Sequence, residues 1–274
     1  MKKSLPWILV SAALGAALLL SRRAGPSRES LLPLSRGLAE QEKAVDRAAA
    51  VAFPLSADEE RRVGESLDAE FRAELPVVSG STATARAERW RRLGQRAETS
   101  PLVVRFRGRY VFRARESPEV NAFALPGGFV YALDPLLVKL GGDDDAVLFV
   151  LAHEIGHVEL GHCADAFRLR PGGGDPLRDI LGGALSLGRF FAAIHFSSTQ
   201  ELEADAYAVR LLRSLHRDPR AGLRVFDALG LKSDADTKRD PGVVAAEAVS
   251  GYFRTHPGSW ERRAALERDV RVSP

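Results

Sequence analysis

His153, Glu154 and His157 form the pattern H-E-x-x-H in His153-Glu-Ile-Gly-His157, and the spacing suits metal chemistry. Residues four apart share one helical face, so two imidazoles so placed can hold one Zn²⁺ at about 2.0–2.1 Å. Glu154 projects about 100° round the helix from His153, which suits it to touch a water at the metal and act as general base. A catalytic zinc needs a third protein ligand and an open fourth position. A third histidine ten residues after the first is missing, because Cys163 stands there, and Leu160 stands where that pattern carries glycine. His162 would lie about 140° round a continued helix from His157 and so face elsewhere, which makes it either a residue that supports the ligands from behind or a surface residue. Cys163 reads as a small buried thiol.

The third ligand is expected further on, in Gln200-Glu-Leu-Glu-Ala-Asp205. On a helix Glu201 and Asp205 share a face, so Glu201 can bind zinc while Asp205 accepts the far N–H of a ligating histidine. Glu203 then points away. Ser198-Thr-Gln-Glu201 also matches a capping box, in which Glu201 would merely bond back to the helix start. The two histidines, short of one ligand, favour the metal reading.

These residues need a scaffold. Asp143, Asp144 and Asp145 open a helix whose body, Ala146 to Leu160, is apolar nearly all round and is predicted to be buried with His153, Glu154 and His157 inside it. Val120–Leu125 and Phe129–Leu133 flank Pro126-Gly-Gly128 and predict two strands about a turn. Between Val103 and Arg115 apolar residues alternate with arginines, which predicts a strand with Arg105, Arg107 and Arg109 on its solvent side and a turn near Gly108. Ser56-Ala-Asp-Glu59 reads as a capping box for a helix to about Glu74. Further helices are expected over Ala83–Ala97, Thr199–Ser214, Pro219–Leu229, Val243–Phe253 and Trp260–Val270. The apolar run Ile180–Phe196 is read as a helix packed on the core, with a lid over the site as the alternative.

The chain has 274 residues with 39 Lys plus Arg, 36 Asp plus Glu, six His and one Cys. That composition excludes a disulfide scaffold, and the formal charge of +3 is too small to require a nucleic-acid partner. Lys2-Lys3, the apolar run Trp7–Leu20 and Arg22-Arg23 have the layout of a secretory signal or signal anchor over residues 1–23. Residues 24–54 read as a linker, and 55–274 as the domain proper.

Four ordered blocks between Ser56 and Leu266 carry a family resemblance: Asn121-Ala-Phe-Ala-Leu-Pro-Gly-Gly128, His153-Glu-Ile-Gly-His-Val158, Glu201-x-Glu-Ala-Asp205, and Thr255-His-Pro257 with Glu261-Arg262. In them the chain resembles the gluzincin zinc metallopeptidases of family 48, the group of the HtpX-type, CAAX prenyl endopeptidase and BepA-like proteins. The resemblance implies an α+β, mainly helical zincin-like metallopeptidase domain with a small β-sheet whose edge strand borders the active-site cleft. It implies one zinc held by His153, His157 and Glu201, catalysis by Glu154, and Asp205 supporting the ligands. His256 and Arg262 would reach the site from the C-terminal segment to stabilise the oxyanion, although in some members the matching histidine plugs the zinc. Asn121, Ala122, Phe123 and Ala124 would lie on the edge strand and pair with extended polypeptide substrates.

The expectation is therefore a zinc metalloendopeptidase acting on unfolded, damaged or misassembled proteins of a bacterial envelope. It would be periplasmic, either soluble or tethered through residues 7–20. The competing expectation is a largely latent zinc-binding quality-control module.

Overall fold

The computed structural model describes residues 56–168, 196–230, 252, 256 and 259–271. The expected signal segment, the linker, the run 180–195 and the helix expected at Val243–Phe253, Tyr252 apart, lie outside the described residues. Among the described residues no helix is long and apolar enough to cross a membrane.

Ser56 caps α1 (Ala57–Glu74): its hydroxyl accepts from the Glu59 amide while the Glu59 carboxylate accepts from the Ser56 amide. Two orphan N–H groups are thereby satisfied, as the sequence predicts. Val63, Leu67 and Phe71 form the buried stripe of α1, and Trp90, Leu93 and Ala97 that of α2 (Ser81–Glu98).

Three strands follow. β1 (Val111–Arg115) pairs in parallel with β3 (Phe129–Leu133), and β2 (Ala122–Leu125) pairs antiparallel with β3, giving the order β1-β3-β2. β3 is buried along its whole length, as an apolar run covered on both faces must be. On one face Phe71 of α1 meets the rings of Phe123 and Tyr131 edge-on. On the other lies Gly94 of α2, where a Cβ would come within 2.3 Å of the Phe112 ring. The β2–β3 turn needs its glycines, because Gly127 and Gly128 have φ of +76° and +90°. α1 closes directly over that turn, and a Cβ on Gly64 would stand 1.9 Å from the Pro126 carbonyl oxygen.

The strand predicted over Val103–Arg115 is corrected. Residues 101–108 run through turns and only Val111–Arg115 is extended. Val103 and Phe106, three apart, are both buried, and the three arginines do not form a ridge. Arg105 bonds Glu60 and the Val158 carbonyl, and Arg107 bonds back to the carbonyls of Val103 and Ser100. The alternating pattern had to yield because local guanidinium-to-carbonyl bonds satisfy a turn as well as a strand.

α3 (Asp134–Leu140) follows β3 without a linker; the sequence reading passed it over. α4 (Asp144–Glu159) is capped by Asp143, whose carboxylate accepts from the amides of Asp145 and Ala146. Thirteen consecutive residues of α4, Ala146–Val158, are buried. α5 (His162–Arg168), α6 (Ser198–Ser214), α7 (Ala221–Ala228) and α8 (Ser259–Arg271) complete the described elements. α6 lies along α4, and α8 packs on α6. α4 is thus enclosed by β2, α2, α6 and α7.

Candidate active site

His153 and His157 project from one face of α4 with their Nε2 atoms 3.1 Å apart. Glu201 comes from the first turn of α6. Its Oε2 is 3.4 Å from Nε2 of His153, and its Oε1 is 3.4 Å from Nε2 of His157. The local reason is the cap. Ser197, not Ser198, is the N-cap of α6, and its box partner is Gln200. The box expected at Ser198 falls one residue earlier, which leaves the Glu201 side chain to the site.

His256 is the fourth member. Its Nδ1 stands 3.4 Å from Nε2 of His153 and 3.0 Å from Oε1 of Glu201, and its Nε2 faces the Ala122 carbonyl oxygen at 3.4 Å. Tyr252 stacks on the His256 ring at 4.5 Å between centroids. One ligand atom from each of His153, His157, Glu201 and His256 lies within 4.8 Å of all the others, and all four residues are buried.

The donor set fits a tetrahedral ion. Ligands about 2.0–2.1 Å from one tetrahedral centre stand roughly 3.3 Å from each other; five of the six pairs here are separated by 3.0 to 3.4 Å, and the sixth, His157 with His256, lies within 4.8 Å. Imidazole nitrogen and carboxylate oxygen are the donors zinc takes in such sites. Glu154 is fully buried and, among the described residues, neither carboxylate oxygen has a hydrogen-bond partner; Nε2 of His256 is 3.5 Å from its Oε1. A buried carboxylate left without donors is costly unless something absent from the protein itself completes it, and a water or a substrate proton would do so.

Charge is compensated from α8. Nε and Nη2 of Arg262 donate to the two oxygens of Asp205 at 2.7 and 2.8 Å, and Nη1 lies 2.6 Å from Oε2 of Glu201. Asp205 also meets Nδ1 of His153 at 2.9 Å. Arg262, expected to serve an oxyanion, has its guanidinium on the carboxylates of α6 in this structure.

Electrostatics follow from this placement. Burial works to raise Glu201, but its interactions with His256 and with the Arg262 guanidinium hold its carboxyl well below the ordinary value. Asp205 is likewise lowered, burial being outweighed by Arg262. Burial raises Glu154 and drives His157 well below the usual imidazole value. Burial also works to lower His153, yet its bonds to Asp205 and Glu201 push it up to about 9.

β2 is an edge strand, and its open side faces the site. Asn121 O accepts from the Leu133 amide, so Phe123 and Leu125 turn their main-chain groups toward β3 and Ala122 and Ala124 turn theirs away. The Ala122 carbonyl meets His256, and the Ala124 carbonyl accepts from the Cys163 thiol at 3.7 Å. Phe123 is instead a core residue, stacked on Tyr131 at 5.0 Å. Of the expected edge-strand residues, only Ala122 and Ala124 present carbonyls outward.

Two neighbours were under-read from sequence. Phe196, at the end of the apolar run, stacks on His157 at 3.7 Å between centroids. His162 is buried and its Nδ1 is 3.1 Å from Nδ1 of His157. The signal was Gly161: at φ +83° it ends α4 in a left-handed turn, which breaks the helical phase that would carry His162 away.

A profile of peptidase family M48 matches residues 85–170 and 177–270, which span this constellation from α4 to α8. The chain belongs to peptidase family M48. M48 metallopeptidases use zinc, in agreement with the donor set. The mitochondrial metalloendopeptidase OMA1 of Arabidopsis thaliana is 27% identical over 163 residues, covering 54% of this chain and 29% of that protein. The metalloprotease LoiP of Escherichia coli K12 is 29% identical over 162 residues, 55% of this chain and 59% of that protein. The OMA1 of Saccharomyces cerevisiae is 28% identical over 153 residues, 52% of this chain and 41% of that protein. The chain thus spans well under two thirds of the length of each of these M48 relatives.

Proposed function

We propose that the protein is a zinc-dependent endopeptidase in which His153, His157 and Glu201 hold the metal and Glu154 is the general base. The single observation that carries this is Glu154, a buried carboxylate without a hydrogen bond among the described residues, beside a set of donors that could hold a metal ion. A bound zinc supplies Lewis acidity toward a carbonyl and toward water. Glu154, raised by burial, takes the proton of the attacking water on a carboxylate oxygen and passes it to the leaving amine. Asp205 holds His153 by Nδ1, and Arg262 keeps Glu201 and Asp205 ionised within the protein. The outward carbonyl of Ala122, exposed when His256 withdraws, offers an extended polypeptide a point of β2 to pair with, which favours unfolded segments over folded domains.

His256 supports a second reading for the state described. Its Nδ1 sits at the fourth ligand distance while its Nε2–H can donate to the Ala122 carbonyl, so one ring fills both the open metal position and the substrate edge. In that arrangement the enzyme is latent, and cleavage requires His256 to withdraw. The natural substrates proposed are unfolded or misassembled envelope proteins, with residues 1–23 directing export.

The test is casein cleavage and zinc content measured together on wild type, Glu154→Gln and His256→Ala. The reading expects one zinc in each, cleavage reduced by about 10²–10⁴-fold in Glu154→Gln, and faster cleavage in His256→Ala if the latent arrangement dominates. Undiminished cleavage by Glu154→Gln would refute the general-base assignment.

A further inference from the structure

The two histidines of α4 are held from outside in different ways. Nδ1 of His153 meets a carboxylate directly, that of Asp205. Nδ1 of His157 meets another imidazole, Nδ1 of His162 at 3.1 Å, and Nε2 of His162 in turn lies 3.3 Å from Oε2 of Glu203. His162 is buried, whereas the Glu203 side chain is half exposed.

Proton positions along this line follow from one condition. Nε2 of His157 faces the donor cluster, so as a ligand it carries the lone pair, and the ring hydrogen must sit on Nδ1. That N–H donates to Nδ1 of His162, which is then the acceptor. The remaining hydrogen of His162 is then on Nε2, the nitrogen that stands 3.3 Å from the Glu203 carboxylate. Each atom has one role and no donor faces a donor. The alternative, with the hydrogen of His157 on Nε2, would point it into the donor set, and His162 could donate from Nδ1 only by turning a bare Nε2 on the Glu203 carboxylate.

We infer that His162 and Glu203 are positioning residues for His157: a hydrogen-bonded chain from the half-exposed Glu203 through His162 fixes the tautomer and ring orientation of that ligand. The inference rests on the reading of His157 as a metal ligand. The chain is supported by the fold on both sides. Gly161 reverses the backbone so that His162 returns to α4, and the adjacent Cys163 anchors the same turn to the Ala124 carbonyl of β2. Phe196 covers the His157 ring and leaves its edge nitrogens as the polar contacts. Glu203 lies on α6 between Glu201 and Asp205, so one helix supplies a ligand, a partner to His153 and the far end of the chain to His157.

The experiment is zinc affinity by competition with a chelating dye, alongside thermal unfolding of the metal-free protein. His162→Leu should weaken zinc binding by about 10–100-fold with the metal-free melting temperature nearly unchanged, and should shift the visible bands of the Co²⁺-loaded protein. His162→Asn, whose amide oxygen can take the place of the accepting Nδ1, should retain most of the affinity. Glu203→Ala should weaken binding by a smaller factor, and should have no further effect when His162 is already leucine.

Wild-type affinity in His162→Leu would overturn the inference, as would a Glu203→Ala effect of equal size in both backgrounds. Should His162→Leu fail to fold, Glu203→Ala and His162→Asn decide alone: loss in the first with retention in the second supports the chain, and an unchanged affinity in Glu203→Ala overturns it. A wild-type chain that binds no zinc would overturn the ligand assignment itself, and this inference with it.

Discussion

Arg262→Met tests the charge balance of the site. The side chains of Arg262, Glu201 and Asp205 are 3% exposed or less. In the metal-free protein at neutral pH, Glu201 and Asp205 are negative and Arg262 positive, and His153, pushed up to about 9, is positive as well. Methionine fills similar space and removes one cation, leaving one buried negative charge in excess. Breaking a buried ion pair from one side costs about 3–5 kcal/mol. At roughly 2–4 °C per kcal/mol for a domain of this size, the melting temperature should fall by about 6–20 °C.

The pH dependence gives the sign. Because Glu201 and Asp205 are held below their ordinary values, the stability they confer is present above the unfolded carboxyl value and is lost as pH falls through the lowered folded value. In Arg262→Met the same carboxyls gain by taking up protons, so the gap from wild type should be widest near neutrality and narrow toward acid. Arg262→Lys keeps the charge but not the fork, and should fall between the two. The assay is urea unfolding in the presence of EDTA at several pH values. A gap below about 1 kcal/mol, or one that does not change with pH, would refute the reasoning.

Zinc affinity should itself depend on pH: metal-free His153 holds a proton below about 9, so affinity should climb by up to tenfold per unit between pH 7 and 9, and a flat profile would argue against His153 as a ligand. Asp205→Asn should weaken zinc binding by about 10–100-fold in the same dye competition, because the partner of His153 Nδ1 loses its charge. Gly64→Ala should cost about 1–3 kcal/mol or more of stability in urea, since the new Cβ meets the Pro126 carbonyl at 1.9 Å. Cys163, buried and with its thiol raised well above the ordinary value by burial, should react with thiol reagents only after denaturation. Rapid labelling of the folded protein would contradict its placement.

The residues of the candidate metal site were legible as a group because their spacing is local. His153, Glu154 and His157 lie within two turns of one helix, and Glu201 with Asp205 within another, so helical periodicity alone orders them. The Pro126-Gly-Gly128 turn and the Ser56 cap were legible for a similar reason, each being a short pattern with one good backbone solution. What the residues alone left open was set by contacts between distant segments. That Arg262 turns to Asp205 depends on where α8 packs, and no spacing encodes that. The strand misread at 103–109 shows the opposite failure: an alternating pattern is compatible with a turn when the arginines find carbonyls close by, as Arg107 does at Val103. His162 was misplaced by continuing a helix past Gly161.

The order of the chain has a consequence for biosynthesis. Arg262 is 57 residues downstream of Asp205. At about 5–20 residues per second, it leaves the ribosome roughly 3–11 s after its partner. Throughout that interval Glu201 and Asp205 have no guanidinium to accompany them out of water, so seating α6 against α4 is disfavoured by about 3–5 kcal/mol. The candidate site therefore gains its full charge balance last, once α8 is made.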